Sequence, residues 1–207
     1  STQRFIRHGY DAYGNEDFLS FAASTINHIA DLTRGTRKSF DALGRVLSQS
    51  TDSELGNLIT HYEYATGFVT RITYPRGFAT QLRYQAWDEP STEYPIEVIQ
   101  GLNGPSAEQS QTTMLRDRFG KVTRMTRSGN GASAQRSMLF DSQERLCQLS
   151  EPESGALVMD YDAVGNLLWS AEGQSSRADC ASARNVDTAQ RIMRTYDARN
   201  RLQAIDY

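Results

Sequence analysis

Three scarcities narrow the field before any motif is read. The 207 residues hold two cysteines, Cys147 and Cys180, too few to staple a chain long enough to bury a core of its own. No apolar run approaches the roughly 20 residues that cross a bilayer as a helix, and Ser1-Thr2-Gln3-Arg4 opens no apolar signal segment. Neither sign of charge dominates, with 22 Lys and Arg against 25 Asp and Glu and a net charge of −3, so no general field gathers nucleic acid or anionic lipid. The expectation is therefore no nucleic-acid partner and no membrane span.

Recognisable chemistry is equally sparse. His8, His28 and His61 share no metal-like spacing with one another or with the cysteines. No nucleophile elbow or phosphate loop occurs, and Gly129-Asn130-Gly131 lacks the third glycine and the helix of a dinucleotide fingerprint. The sequence thus predicts no metal, no cofactor and no enzymatic activity. Cys147 falls in a strand pattern and Cys180 in a polar stretch; two free thiols are expected.

Residues that favour a pleated sheet are abundant: ten Tyr and eight Phe, with 15 Gly to make turns. They recur in order. An aromatic, an Asp, two variable residues, a Gly or Asn, a basic or amide residue and a β-former appear as Phe40-Asp41-Ala42-Leu43-Gly44-Arg45-Val46 and Tyr161-Asp162-Ala163-Val164-Gly165-Asn166-Leu167. Tyr196-Asp197-Ala198-Arg199-Asn200-Arg201-Leu202 has Asn in the glycine slot, and Phe140-Asp141-Ser142-Gln143-Glu144-Arg145-Leu146 has Glu. Arg116-Asp117-Arg118-Phe119-Gly120-Lys121-Val122 loses the aromatic, and Tyr10-Asp11-Ala12-Tyr13-Gly14-Asn15 loses the β-former.

Each slot has a mechanical reason. The aromatic ends a strand, the Asp side chain accepts backbone N–H groups ahead of it, and Gly or Asn tolerates positive φ. The β-former starts the return strand, which makes a hairpin. The repeated aspartates are therefore read as turn residues rather than paired catalytic carboxylates. A second kind of turn is expected at Gly67, at Pro75-Arg76-Gly77 and at Pro152 to Gly155.

Between turns, Phe68, Thr70, Ile72 and Tyr74 share one face; Leu157, Met159 and Tyr161 share another, with Leu167 and Trp169 as cross-strand partners. No long helix is predicted, and Ile26 to Leu32 reads as helix or as a strand ending at Thr33-Arg34-Gly35. Glu89–Gln111, Ser128–Gln135 and Glu172–Asp187 interrupt the rhythm as loop insertions within a single array over 1–207. The hairpin after Tyr84-Gln85-Ala86-Trp87-Asp88 is doubtful, lacking both motif Asp and turn Gly. The basic clusters at Arg34, Arg37, Lys38 and at Arg116, Arg118, Lys121, Arg124, Arg127 read as solvated strand faces, and Tyr94 and Trp87 as packing aromatics.

The repeated set resembles the RHS, or YD, repeat family along almost the whole chain. That resemblance implies an all-β fold in which tandem antiparallel hairpins form a curved sheet or a segment of a spiral shell. In bacterial polymorphic toxins and insecticidal toxin complexes such a shell encloses a C-terminal toxic domain, and teneurins are animal relatives. The implied function is structural, with flanking repeats, a core segment of the parent protein and an encapsulated toxin as partners, in a secreted or surface-displayed protein. No match to the family's aspartate-based self-cleavage segment is seen, so the chain reads as a piece of shell, incomplete at one or both ends. Its terminal strands, near Arg4 to Tyr10 and Arg201 to Tyr207, are expected to self-associate in isolation. The alternative is a secreted or surface module that binds carbohydrate or protein through outer aromatics and loops.

Overall fold

The structure is a computed structural model that describes residues 4–23, 31–87 and 89–207, with backbone alone at 31, 86–87 and 89–93. It is built almost wholly of antiparallel strands and divides into two compact units, Ser1–Ser110 and Gln111–Tyr207. The first unit carries β1 (His8–Tyr10), β2 (Glu16–Ser20), β3 (Gly35–Phe40), β4 (Val46–Ser53), β5 (Gly56–Ala65), β6 (Val69–Thr73), β7 (Ala79–Trp87) and β8 (Glu89–Leu102). The second carries β9 (Ser110–Arg116), β10 (Val122–Gly129), β11 (Ala132–Phe140), β12 (Leu146–Glu151), β13 (Gly155–Tyr161), β14 (Leu167–Gln174), β15 (Ile192–Tyr196) and β16 (Leu202–Asp206), with a one-turn helix α1 (Cys180–Ala183). Within each unit every strand lies beside the one before it in sequence. The all-β array of hairpins expected from the turn motifs is what forms.

Alternate connections in such an array fall at the same end of the strands. The motif turns at Asp11, Asp41, Asp117, Asp141, Asp162 and Asp197 all follow odd-numbered strands, so within each unit they line one margin.

Several expectations need correction. Glu89–Gln111 is not a loop: Glu89–Leu102 is strand, and the irregular part is confined to the segment after it, which includes one 3-10 turn at Ser106–Glu108. The misleading prolines sit where the pairing is already irregular, Ala86 opposite Pro90 and Tyr84 opposite Pro95, with register shifts on both sides of Tyr84. There a missing N–H costs no ladder bond. The doubtful hairpin after Tyr84 therefore forms, pairing as far as Trp87↔Glu89; Asp88 and the Trp87 side chain lie outside the described residues.

Ser128–Gln135 is likewise a hairpin rather than a loop, with Gly129 opposite Ala132 across a two-residue turn. Asn130 at φ 47 and Gly131 at φ 75 give the left-handed pair that matches the twist of the flanking strands. Phe68, expected on a strand face, is in the turn at φ 57. Residues 26–30, with His28, lie outside the described residues, and Asp31–Thr33 is a single 3-10 turn.

The largest correction concerns the second unit's core. Trp169 pairs with Asp160, not with the Leu157-Met159-Tyr161 face, because the register slips between Asp160 and Tyr161. The slip puts Trp169 on the face of Val158 and Ala171, and Ala183 and Val186 cover that face to make one buried cluster. The cover comes from the stretch read as a polar loop: beyond Gln174 the chain folds back over the sheet as α1 and its flanks. Cys147 and Cys180 are disulfide-bonded, with Cα atoms 5.7 Å apart, so the expectation of free thiols is overturned. The turn of helix at Cys180, capped by the Asp179 carboxylate accepting from the Ser182 N–H at 2.8 Å, holds that cysteine over the buried Cys147.

Candidate functional site

The residues singled out by the repeat build one structure six times. In each motif turn the Asp carboxylate Oδ1 accepts the N–H groups two and four residues ahead, at 2.8 to 3.0 Å. The Asp N–H donates to the carbonyl four residues on at 2.9 Å, and the residue in the glycine slot donates back to the Asp carbonyl. Tyr10, Phe40, Phe140, Tyr161 and Tyr196 each end the strand that enters a turn, ahead of Asp11, Asp41, Asp141, Asp162 and Asp197. Gly14, Gly44, Gly120, Gly165 and Asn200 occupy the left-handed slot, and Glu144 does so at φ 63 without glycine's freedom. The turn at Tyr74-Pro75-Arg76-Gly77-Phe78 has the same backbone bonds, Tyr74 N–H to Phe78 O and Gly77 N–H to Tyr74 O. It is the same turn rather than a second kind, with Pro75 fixing φ where the other turns use a carboxylate.

Donated N–H groups favour the charged carboxylate. The carboxyl groups of Asp11, Asp41, Asp162 and Asp197 are all held below their ordinary value: Asn15's side chain is the largest influence at Asp11, and the Arg45 and Arg201 N–H groups at Asp41 and Asp197. At Asp162 burial is the largest influence and opposes the shift, but the bonds from Asn166 prevail. Asp141 goes furthest. Burial pushes its carboxyl up, yet the bonds from Arg145 and Arg184 outweigh that and bring it down to about 2. In each turn the carboxylate is held in its ionised form by the N–H groups it gathers, so its charge is spent on fixing the turn.

What the sequence reading missed is that the turns are coupled. The side chain after the glycine slot reaches the next hairpin, and at Arg45, Arg145 and Asn166 it also bonds its own Asp. Arg145 bonds Asp141 through Nε and donates Nη1 to the Asp162 carbonyl at 2.8 Å, with its guanidinium 4.9 Å over the Tyr161 ring. Lys121 donates Nζ to Glu144 O at 2.6 Å and lies 5.1 Å over Phe140. Arg45 stacks 4.3 Å over Tyr64, and Asn166 donates to Asn200 Oδ1 at 3.1 Å.

The tyrosines return the contact. Tyr64 OH donates to Val46 O at 2.8 Å, Tyr161 OH to Leu146 O at 2.9 Å, and Tyr196 OH to Leu167 O at 3.0 Å. In every case the acceptor is the β-former that closes the preceding motif. The signal was present in the sequence as the basic slot and the hydroxyl of Tyr, but a single repeat does not show what either reaches. Lys121, read as part of a solvated face, and Arg37, which pairs with Asp52 at 3.0 Å and stacks 4.9 Å from Phe18, are engaged.

A second arrangement ties down the cover of the second unit. Buried Gln148 donates to Arg177 O at 3.2 Å and accepts from the Arg177 N–H at 3.0 Å. Arg184 reaches Asp141 at 2.9 Å and Asp160 at 2.9 Å, and Arg191 stacks 4.3 Å over Trp169. Among the described residues no group of three His, Cys, Asp or Glu side chains gathers to hold a metal, and no helix is long and apolar enough to cross a membrane.

Residues 40–79, from the Phe40 turn through the Tyr74 turn, match the family model of the RHS Repeat. The chain resembles the RHS-repeat family. A solved structure with the same fold, the crystal structure of TcdB2-TccC3-Cdc42, superposes with a TM-score of 0.56 at 15% identity, covering 97% of this chain and 12% of that one. At that identity the likeness is one of fold, and this chain spans about an eighth of that longer chain. No curated protein matches the sequence.

Proposed function

We propose that the chain is a stretch of structural wall: a non-enzymatic hairpin segment of a bacterial RHS-repeat protein whose shell encloses or presents a C-terminal toxin or effector, secreted or displayed at the cell surface. The observation that carries this reading is the turn-to-turn docking. Its residues are spent on holding hairpin to hairpin, through Arg145 and Tyr161 and their counterparts, which is the job of a wall. Consecutive hairpins that share a fixed register propagate a sheet without needing a separate core, and a sheet so extended can exclude solvent and proteases from what lies behind it. The repeated motif residues, from Tyr10 to Asn200, serve that propagation. Flanking repeats and the core segment of the parent are the partners on this reading.

Limited proteolysis of the parent polypeptide, with its C-terminal region labelled, is the test. Protection of that region, lost when Tyr161→Ala and Tyr196→Ala loosen the wall, is expected. A C-terminal region cleaved at the same rate in both proteins overturns the enclosing role, and specific retention on a glycan array would favour the adhesion alternative.

A further inference from the structure

The segment that crosses from β14 to β15 is tied to one strand, β12, on both sides of a single peptide bond. Ser175 to Asp179 is exposed and irregular, and in its middle the side chain of Arg177 bonds no described residue. Ser176 Oγ lies 2.9 Å from Ser150 Oγ and accepts from Gln148 Nε2 at 3.3 Å. The Arg177 N–H donates to Gln148 Oε1 at 3.0 Å, and the Arg177 carbonyl accepts from Gln148 Nε2 at 3.2 Å. Three residues on, Cys180 is bonded to Cys147. Cys147, Gln148 and Ser150 all belong to β12.

An endopeptidase that cuts after a basic side chain requires a cation to fill its pocket, an irregular segment to draw out, and a scissile carbonyl free to enter its oxyanion hole. Arg177 offers the first two and is denied the third, because its carbonyl is held by a side chain that is itself 1% exposed. The other arginines of the cover are engaged: Arg184 with Asp141 and Asp160, and Arg191 with the Val186 carbonyl and the Trp169 ring. Arg76, Arg118 and Arg199 are exposed but lie in turns closed by backbone bonds across them.

We propose that the Arg177–Ala178 bond is a latent cleavage site for an endopeptidase of this class, latched by the Cys147–Cys180 disulfide and unlatched by a dithiol reductant. A thiolate of the reductant attacks Cys180, the less buried of the pair, and Cys147 leaves and takes up a proton. The second thiol then closes the reductant's own disulfide as Cys180 leaves and is protonated in turn, so two electrons and two protons have passed to the protein. With Cys180 free, the bonds to Gln148 exchange for water and the Arg177 carbonyl comes out. Hydrolysis leaves a carboxylate on Arg177 and an amine on Ala178. The break falls between β14 and β15, whose ladder has two pairs against five at β13–β14 and four at β15–β16, so it opens the wall at a seam. The inference concerns the cover and stands apart from what the wall encloses.

Digestion with trypsin, with the cut bonds identified by mass spectrometry, is the test. In the oxidised chain Arg177–Ala178 should resist. After treatment with dithiothreitol and capping of the thiols with iodoacetamide it should be the first bond cut, at least about tenfold faster, since cleavage follows the population of the opened segment. Arg177→Gln should remove that cut. Gln148→Ala with the disulfide intact should also be cut there faster than the native chain, and its two pieces, one with Cys147 and one with Cys180, should separate only on reduction. Equal rates at Arg177 before and after reduction overturn the proposal, as does an oxidised Gln148→Ala chain as resistant as the native one. So does a reduced chain cut at Arg145, Arg184 and Arg194 together with Arg177, which would mean that the unit unfolds as a whole.

Discussion

The two units are made from the same hairpins and the same turns, yet they bury different amounts. In the first, the buried hydrophobic side chains among the described residues are Ala23, Leu32 and Ala79, while Leu55, Leu58, Ile59, Phe68 and Phe78 are exposed. In the second, Cys147, Val158, Trp169 and Ala171 are each less than 5% exposed, beneath a cover pinned by a disulfide, Gln148 and Arg184. The turn chemistry is sufficient to make hairpins and hold them in register. It does not make a core, because a lone sheet has two faces and no second layer. The core of the second unit is supplied by an interruption of the repeat, the segment between β14 and β15.

The comparison breaks most completely if that cover is released. The disulfide closes a sequence separation of 33 residues, so on the chain-entropy account Cys147→Ser with Cys180→Ser should cost about 3 to 4 kcal/mol. Trp169→Ala should cost about 3 to 5 kcal/mol by emptying the cluster. Denaturant unfolding followed by tryptophan fluorescence measures the first, far-UV circular dichroism the second, and an equal loss on Leu55→Ala would deny that the cover matters.

Next comes Asp141, the one turn carboxylate that the cover also grips. Asp141→Ala leaves Arg145 and Arg184 without their shared partner and should cost about 3 kcal/mol. The same group sets a pH dependence. Its carboxyl titrates at about 2 in the folded protein against an ordinary 3.8, so its stabilisation is present above pH 3.8 and is lost as pH falls toward 2, by about 2 kcal/mol. Unfolding midpoints of the native and Asp141→Asn proteins should converge between pH 4 and 2, and parallel curves would contradict the assignment.

Smaller effects sharpen the turn itself. Gly165 stands at φ 96 with open space where a side chain would lie, so Gly165→Val should destabilise by about 1 to 2 kcal/mol through backbone strain alone. Tyr161→Phe and Tyr196→Phe should each cost about 1 kcal/mol by orphaning one carbonyl, and Asp162→Asn should be milder than either, since Asn makes the same turn.

Much of this was legible because a turn is a local object. Asp162, Gly165 and their counterparts act within four residues of themselves, and a sequence window that short contains the whole cause. The docking of Arg145 on the Asp162 turn spans 17 residues and depends on which strands are neighbours, so the chemistry was visible and its target was not. Prolines at 90 and 95 misled because their effect depends on pairing that the sequence does not display. The disulfide and the Trp169 core were unreadable for a stronger reason: a one-residue slip at Asp160 decides which face Trp169 joins, and the polar composition of Glu172–Asp187 conceals that Ala183 and Val186 are its buried members.

Native-state amide hydrogen exchange across the two units tests the central contrast most directly. The amides of Gln148, Val158 and Ala171 should exchange through the largest opening of the molecule, those of β4 and β5 through smaller local openings, and reduction of the disulfide should bring the first group down toward the second. Strands β4 and β5 protected as strongly as β12 to β14 under oxidising conditions, or a second unit whose protection is unchanged on reduction, would contradict it.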